Sequence, residues 1–147
     1  MTQINIGING FGRIGRTFFR LLSAHPHLKV VAINDLADAM TMAHLLKYDS
    51  IHGVSQSKIV AGENCITVDG NEIATLNHKS PKEIPWHNYN VDIVLEATGK
   101  FKTRDILDYH LQNGAKKVIL SVPPADEDIK MVVLGVNESL INSEDNI

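Results

Sequence analysis

The sequence predicts a mostly parallel α/β sheet wound with helices on both faces, and three observations carry that reading. Short apolar runs alternate with helix-like segments along most of the chain. A glycine-rich turn, Gly10-Phe-Gly12-Arg-Ile-Gly15, separates the first apolar run from the first helical pattern. An aspartate, Asp35, closes the second run 20 residues beyond Gly15.

Taken in order, Ile4, Ile6 and Ile8 alternate with polar or small residues, the period of a strand. Ile14, Phe18, Leu21 and Leu22 fall at i, i+4, i+7 and i+8, one face of a helix, with Arg13, Arg16, Thr17 and Arg20 opposite. Pro26 closes that helix, and residues 28–33 form the second strand. A helix over 38–47 follows, with Ala39, Met42, Ala43 and Leu46 on its inner side. From Lys58 to Asn77 the rhythm changes to β-like pieces separated by Gly62-Glu-Asn64 and Asp69-Gly-Asn71. Asp-Gly between apolar alternations signals a hairpin, so this stretch is expected to be an antiparallel excursion in the middle of the chain. Pro81, Pro85 and Trp86 punctuate the return. Residues 92–97 form a strand, and Thr103 caps a helix through Asn113, with Gly114 just past its end. Two more buried strands are expected at 117–121 and 131–136. Beyond Ile141 the chain turns polar and is expected to be a loop rather than a completed fold.

A chain of 147 residues has the length of one domain, expected to span residues 1–147. With 44% hydrophobic and 21% charged residues it is globular in composition, which argues against disorder and coiled coil. A formal net charge of −3 disfavours nucleic acid and anionic membrane as partners. No apolar run approaches the roughly 18 residues of a membrane span, and the first residues lack the pattern of a signal peptide. The single cysteine, Cys65, cannot form an internal disulfide and suits a reducing cytoplasm.

The glycines have separate tasks. Gly10 permits the tight turn, Gly12 lets backbone approach a pyrophosphate, and Gly15 allows helix and strand to pack closely. Arg13 and Ile14 stand at the helix entrance, where N–H groups and the positive end of the dipole attract phosphate. A carboxylate at Asp35 accepts hydrogen bonds from ribose hydroxyls and repels a 2′-phosphate, favouring NAD over NADP. The glycines alone would also suit a bare strand–helix turn, and Asp35 a helix cap. Turn, strand and spacing together predict a Rossmann-type, doubly wound dinucleotide-binding fold. At the end of the 92–97 run, Thr98 could donate to a cofactor, Gly99 permits close approach, and Phe101 offers a wall for adenine. An ordinary strand-to-loop junction with Phe101 in the core explains them equally well. Ser121 has the same ambiguity, since a buried hydroxyl can satisfy itself on nearby backbone.

The string Ile8-Asn-Gly-Phe-Gly-Arg-Ile-Gly-Arg16, with Ile33-Asn-Asp35 and His44-Leu-Leu-Lys-Tyr-Asp-Ser-Ile-His-Gly53, resembles the amino-terminal half of glyceraldehyde-3-phosphate dehydrogenases. Glu96-Ala-Thr-Gly-Lys-Phe101, Gly114-Ala-Lys-Lys-Val-Ile119 and Gly135-Val-Asn137 continue the likeness, which runs from about Ile4 to Ile147. The resemblance implies a phosphorylating, NAD-dependent aldehyde oxidation: a cysteine attacks the aldehyde, hydride passes to NAD, and phosphate releases the acyl group. By position it puts cofactor contacts on Asn9, Gly10, Gly12, Arg13, Ile14, Asp35, Thr98, Gly99, Phe101 and Ser121, with Gly15 completing the turn. Lys79 stands where the family usually has arginine; it keeps the cation and loses the planar fork.

In that family the nucleophile lies in a Ser-Asn-Ala-Ser-Cys-Thr-Thr-Asn segment, which these residues do not contain. Cys65 has no such motif around it, and packing is its expected role. None of the seven histidines is assigned to catalysis. His25 and His27 flank Pro26 in an expected turn and lack a third metal ligand, so no metal is expected. The chain is therefore expected to bind NAD without turnover, its catalytic domain lying outside these residues, with a homo-oligomer as the family trait. Erythrose-4-phosphate dehydrogenase is a competing reading; there glutamate is the usual ribose acid, so Asp35 leans away from it. A stand-alone NAD-binding or self-association module is another.

Overall fold

The computed structural model describes residues 3–22 and 24–147. Its elements are β1 (Ile4–Asn9), α1 (Arg13–Leu22), β2 (Leu28–Asn34), α2 (Ala39–Lys47), β3 (Tyr48–Asp49), β4 (Gly53–Val54), β5 (Ile59–Ala61), β6 (Cys65–Val68), β7 (Asn71–Leu76), β8 (Ile93–Glu96), α3 (Arg104–Gln112) and β9 (Lys117–Leu120). Short 3-10 turns lie at Pro81–Glu83, Trp86–Tyr89 and Glu138–Leu140. β3 and β4 make a small antiparallel pair of their own.

The other seven strands form one sheet in the order β5-β6-β7-β2-β1-β8-β9. β7, β2, β1, β8 and β9 run parallel, while β5 and β6 join antiparallel. This is the Rossmann-type mixed sheet that the alternating runs predict. The excursion of residues 58–77 is part of that sheet, because its last strand, β7, turns back to pair in parallel with β2. Asp69 and Gly70, both at positive φ, make the tight β6–β7 turn, as Asp-Gly predicts.

Alternation along β1 divides the core between two faces. Ile6 and Ile8 point to one face and pack with Leu22 of α1 and with Ala39, Met42, Ala43 and Leu46 of α2. The four inner residues expected of α2 are all buried, and Asp38 caps the helix by accepting the Thr41 N–H at 2.7 Å. On the other face Ala32, Val94 and Ala115 surround Trp86, whose side chain is fully buried. Gly7 of β1 faces that indole: a Cβ there would lie 2.8 Å from the ring, so the strand carries glycine where the tryptophan stacks. Leu107 of α3 and Val118 of β9 extend this second layer. At the amino ends of the central strands Asp92 accepts from Lys116 Nζ at 2.6 Å and from the Asn5 N–H at 2.8 Å. Lys116 first, and then the Asn5 N–H, hold that carboxyl below its usual value.

Three expectations need correction. Residues 131–136 form no strand: Met131, Val133, Leu134 and Val136 lie on the surface in a turn. An apolar run is as compatible with an exposed turn as with a strand, and at the edge strand β9 the Val118 N–H bonds the Asn146 carbonyl rather than this run. The inner face of α1 is Gly15, Phe18, Phe19 and Leu22, with Ile14 at 54% and Leu21 at 64% exposure. Arg16 and Arg20, expected on the solvent side, turn back to donate to the Phe11 and Leu46 carbonyls, at 2.9 and 2.6 Å. Thr103 precedes α3 but makes no side-chain cap; the Arg104 N–H is taken instead by Asp126 Oδ2 at 2.6 Å. No described helix is long and apolar enough to cross a membrane. Among the described residues no group of three His, Cys, Asp or Glu gathers to hold a metal.

These placements separate two apolar residues of similar size. Ile33, with no exposed surface, should cost about 2–5 kcal/mol when cut to alanine. Leu134, 88% exposed, should cost less than about 0.5 kcal/mol. Urea unfolding of the two variants checks both.

Candidate nucleotide-binding site

The five parallel strands all end at one edge of the sheet. Each ladder runs one bond past its strand: Asp35 N–H to Leu76 O, Gly10 N–H to Asn34 O, Ala97 N–H to Asn9 O and Ser121 N–H to Glu96 O, at 2.7–3.1 Å. The backbone then turns off into loops, which carry eight of the twelve residues expected at the site, while Asn9 ends β1 and Arg13, Ile14 and Gly15 open α1. Sequence order also reverses here. From β1 the chain goes to β2 on one side, and later comes to β8 on the other. Open α/β sheets place ligands in the crevice at such a reversal.

Gly10 takes φ +94°, and a Cβ on it would lie 2.7 Å from the Thr98 nitrogen. The glycine therefore permits both the turn and the approach of the next loop. Gly15, in the first turns of α1, sits with its Cβ direction 2.2 Å from the Gly10 carbonyl oxygen, so helix and turn touch backbone to backbone. Gly12 faces open space, with nothing within 4 Å of a Cβ. Phe11, between them, is buried and meets Phe19 edge-to-face at 5.9 Å. Both of its peptide groups are held, the N–H by Asp35 Oδ2 at 2.6 Å and the carbonyl by Arg16 Nη1. Arg13 and Ile14 are exposed at the start of α1, and no acidic residue stands in its first turn. The amino end of that helix thus offers N–H groups to an anion at the open flank of Gly12.

Asp35 is half-buried and has a second task that its spacing did not reveal. Its two oxygens accept the Phe11 and Ala37 N–H groups, so it ties the glycine turn to the end of β2. A carboxylate has about four acceptor positions, which leaves capacity for two ribose hydroxyls.

Across the crevice, Thr98, Gly99 and Phe101 are half-buried, and Gly99 takes φ +72°. Thr98 spends its hydroxyl proton on Glu96 Oε1 at 2.5 Å and accepts the Lys100 N–H, so the expected donation to a ligand is already taken. Asn9 is 1% exposed and its side chain is engaged by Glu96 and Asn34, so the side chain is not free to meet a ligand. Lys79 is exposed just beyond β7, next to the His78 backbone that Asn34 grips. Ser121 is half-buried at the end of β9. Cys65 lies in β6, outside the five parallel strands that form this edge.

Beneath the crevice lies a group that sequence reasoning did not assign. Glu96 and His110 are both without exposed surface, 3.0 Å apart, and Trp86 Nε1 donates to His110 Nδ1 at 2.9 Å. A glutamate ending an otherwise apolar run, and a histidine three residues after Leu107 on the inner face of α3, were the available signals.

Comparison with known proteins agrees with this architecture. Residues 4–104 match the family of the glyceraldehyde 3-phosphate dehydrogenase NAD binding domain. The chain is 46% identical over 144 residues to glyceraldehyde-3-phosphate dehydrogenase of Mycoplasma pneumoniae, covering 98% of the chain and 43% of that relative. It is 46% identical over 145 residues to glyceraldehyde-3-phosphate dehydrogenase 2 of Bacillus subtilis, covering 99% of the chain and 42% of the relative. With glyceraldehyde-3-phosphate dehydrogenase 1 of Bacillus cereus the identity is 51% over 132 residues, or 90% of the chain and 39% of the relative. The chain thus spans about two-fifths of the length of the curated relatives it matches.

The contacts of the glycines order their substitutions. Gly15→Ala forces a methyl onto the Gly10 carbonyl and should lower stability by more than about 1 kcal/mol. Gly12→Ala meets nothing and should stay within about 0.5 kcal/mol of the parent, both read by thermal melts.

Proposed function

The chain belongs to the glyceraldehyde-3-phosphate dehydrogenase family, and from that premise we propose that residues 1–147 form its NAD-binding domain. NAD is the cofactor of the family's domain. The observation that carries the reading is the meeting of three features in one crevice. They are the open Gly12 flank, the amino end of α1 with no acidic residue in its first turn, and the Asp35 carboxylate on the neighbouring strand end. Gly12 is where backbone can approach a pyrophosphate, and the first N–H groups of α1 supply its hydrogen bonds. The oxygens of Asp35, already fixed by two backbone N–H groups, accept from the ribose and repel a 2′-phosphate. Thr98, Gly99, Phe101 and Ser121 form the opposite wall, with Lys79 as a cation at the rim. Lys79 acts as a point charge, where an arginine would give a planar fork.

In the longer protein we propose phosphorylating oxidation of glyceraldehyde 3-phosphate in the cytoplasm, as part of glycolysis and within a homo-oligomer. Bound NAD supplies acceptance of a hydride from the aldehyde carbon. The residues described here bind and orient it, while the nucleophilic cysteine and its histidine belong to a catalytic domain outside residues 1–147. The named relatives, all glyceraldehyde-3-phosphate dehydrogenases, support this substrate over erythrose 4-phosphate.

Calorimetric titration of the 147-residue chain should give saturable NAD binding, with NADP weaker by about tenfold or more because the 2′-phosphate meets Asp35. Gly12→Ala, which leaves the fold intact, should weaken NAD by about tenfold by pushing the pyrophosphate away. Absence of saturable binding would overturn the reading. The same chain should show no turnover of glyceraldehyde 3-phosphate with NAD and phosphate, and Cys65→Ser should change nothing. Cysteine-dependent turnover by these residues alone would contradict the placement of the catalytic domain.

A further inference from the structure

Seven buried or half-buried residues below the crevice join in one hydrogen-bond network that converges on a single carboxyl group. The His78 N–H donates to Asn34 Oδ1 at 2.8 Å, and Asn34 Nδ2 returns a bond to the His78 carbonyl at 2.9 Å. Asn34 Nδ2 also donates to Asn9 Oδ1 at 2.8 Å, and Asn9 Nδ2 donates to Glu96 Oε2 at 2.5 Å. From the other side Trp86, whose indole can only donate, gives its proton to His110 Nδ1. Nδ1 is therefore an acceptor, which puts the ring proton on Nε2 and aims it at Glu96 Oε2. The remaining oxygen, Oε1, takes both the N–H and the hydroxyl of Thr98, at 2.9 and 2.5 Å. Both branches and both Thr98 donors end on Glu96.

We propose that Glu96 is a positioning residue of the nucleotide site: its carboxylate is the common acceptor that fixes the Thr98–Gly99 turn, the Gly10 turn and the segment carrying Lys79 relative to one another. The role rests on the reading of this edge as the NAD site. Glu96 itself is fully buried, with no surface open to a ligand. It acts through Thr98 on one wall, and through Asn9, which immediately precedes Gly10, on the other. A separate observation agrees: the Gly10 turn packs against the Ala97 and Thr98 backbone so closely that a methyl would not fit between them. Two loops in backbone contact transmit any shift of one to the other. Carboxylate chemistry matters more than side-chain volume here, since only an acceptor on both heads satisfies donors from both sides.

Glu96→Gln keeps the size and turns one head into a donor, which must then face Asn9 Nδ2 and the His110 proton, or the two Thr98 donors. In calorimetry on the 147-residue chain this variant should bind NAD about tenfold more weakly, with its far-UV circular dichroism retained. Adding Asn9→Asp restores an acceptor opposite the new amide and should recover at least half of the lost affinity on a logarithmic scale. Asn9→Asp alone sets two carboxylates together and should itself weaken binding. If Glu96 only fills space, E96Q binds within twofold of the parent and Asn9→Asp adds damage in either background; that pattern overturns the proposal. Nitrogen-15 spectra of the histidines in the unmutated chain give a readout independent of whether E96Q folds. His110 should carry its proton on Nε2 and none on Nδ1, free and with NAD. A proton on Nδ1 in place of Nε2, or on both nitrogens, overturns the network. If the unmutated chain takes up no NAD, the site reading falls and the positioning role with it. A chain that binds NAD but ignores E96Q overturns the positioning role alone.

Discussion

Glu96 carries a carboxyl group into the interior with no exposed surface, and a group of that kind persists only where its lone pairs are met by donors. Four donors meet it, from Asn9, Thr98 twice and His110, and they come from three different parts of the chain. The end of β1, the loop after β8 and the inner face of α3 are thereby held to one point. His110 in turn receives the Trp86 indole, and Trp86 fills the space left by Gly7. The packing of one face of the sheet and the shape of its carboxyl edge therefore share a hydrogen-bond network. Partly satisfied, such a network would be worse than an apolar core; fully satisfied, it specifies one arrangement.

Around that anchor the crevice is shaped by close backbone contact. Gly10 meets the loop after β8, Gly15 meets Gly10, and Phe11 between them is gripped at its N–H by Asp35 and at its carbonyl by Arg16. Arg16 is the informative case. Helical spacing put it on the solvent side, yet an arginine stem can lie along the helix and return its guanidinium to a free carbonyl at the amino end. The side chain that looked like surface charge is part of the loop's support.

Much of this architecture was legible from residue order. The strands over 4–9, 28–34, 93–96 and 117–120 and the helices over 13–22, 39–47 and 104–112 match in extent the segments that the apolar runs marked. Asp69-Gly70 marked its hairpin, and the order of motifs matched the family that residues 4–104 then matched. Where periodicity misled, the reason was a missing or unexpected partner. Val133 and Leu134 form an apolar run, but they do not join the sheet, and at its edge strand β9 the Val118 N–H bonds the Asn146 carbonyl instead. Residues 58–77 read as a wholly antiparallel excursion because local pattern cannot show that β7 would return to pair in parallel with β2. At the site itself, glycine spacing and Asp35 were enough to point to the crevice, since each acts through its own backbone or charge.

The sequence by itself determined the alternation of strand and helix, the glycine turn and the acid on the next strand end, because these depend on periods and spacings within a short stretch of chain. Only the tertiary structure decided which polar side chains are free to meet a ligand. Asn9 and Thr98 carry polar groups that could face a cofactor, but each is already bonded to Glu96, 87 and 2 residues away in sequence. Glu96, His110 and Asn34 gain their importance from neighbours brought together by the sheet, and no spacing records those contacts. A hydrogen bond between residues far apart in sequence exists only once strand order places them side by side, and strand order belongs to the fold as a whole.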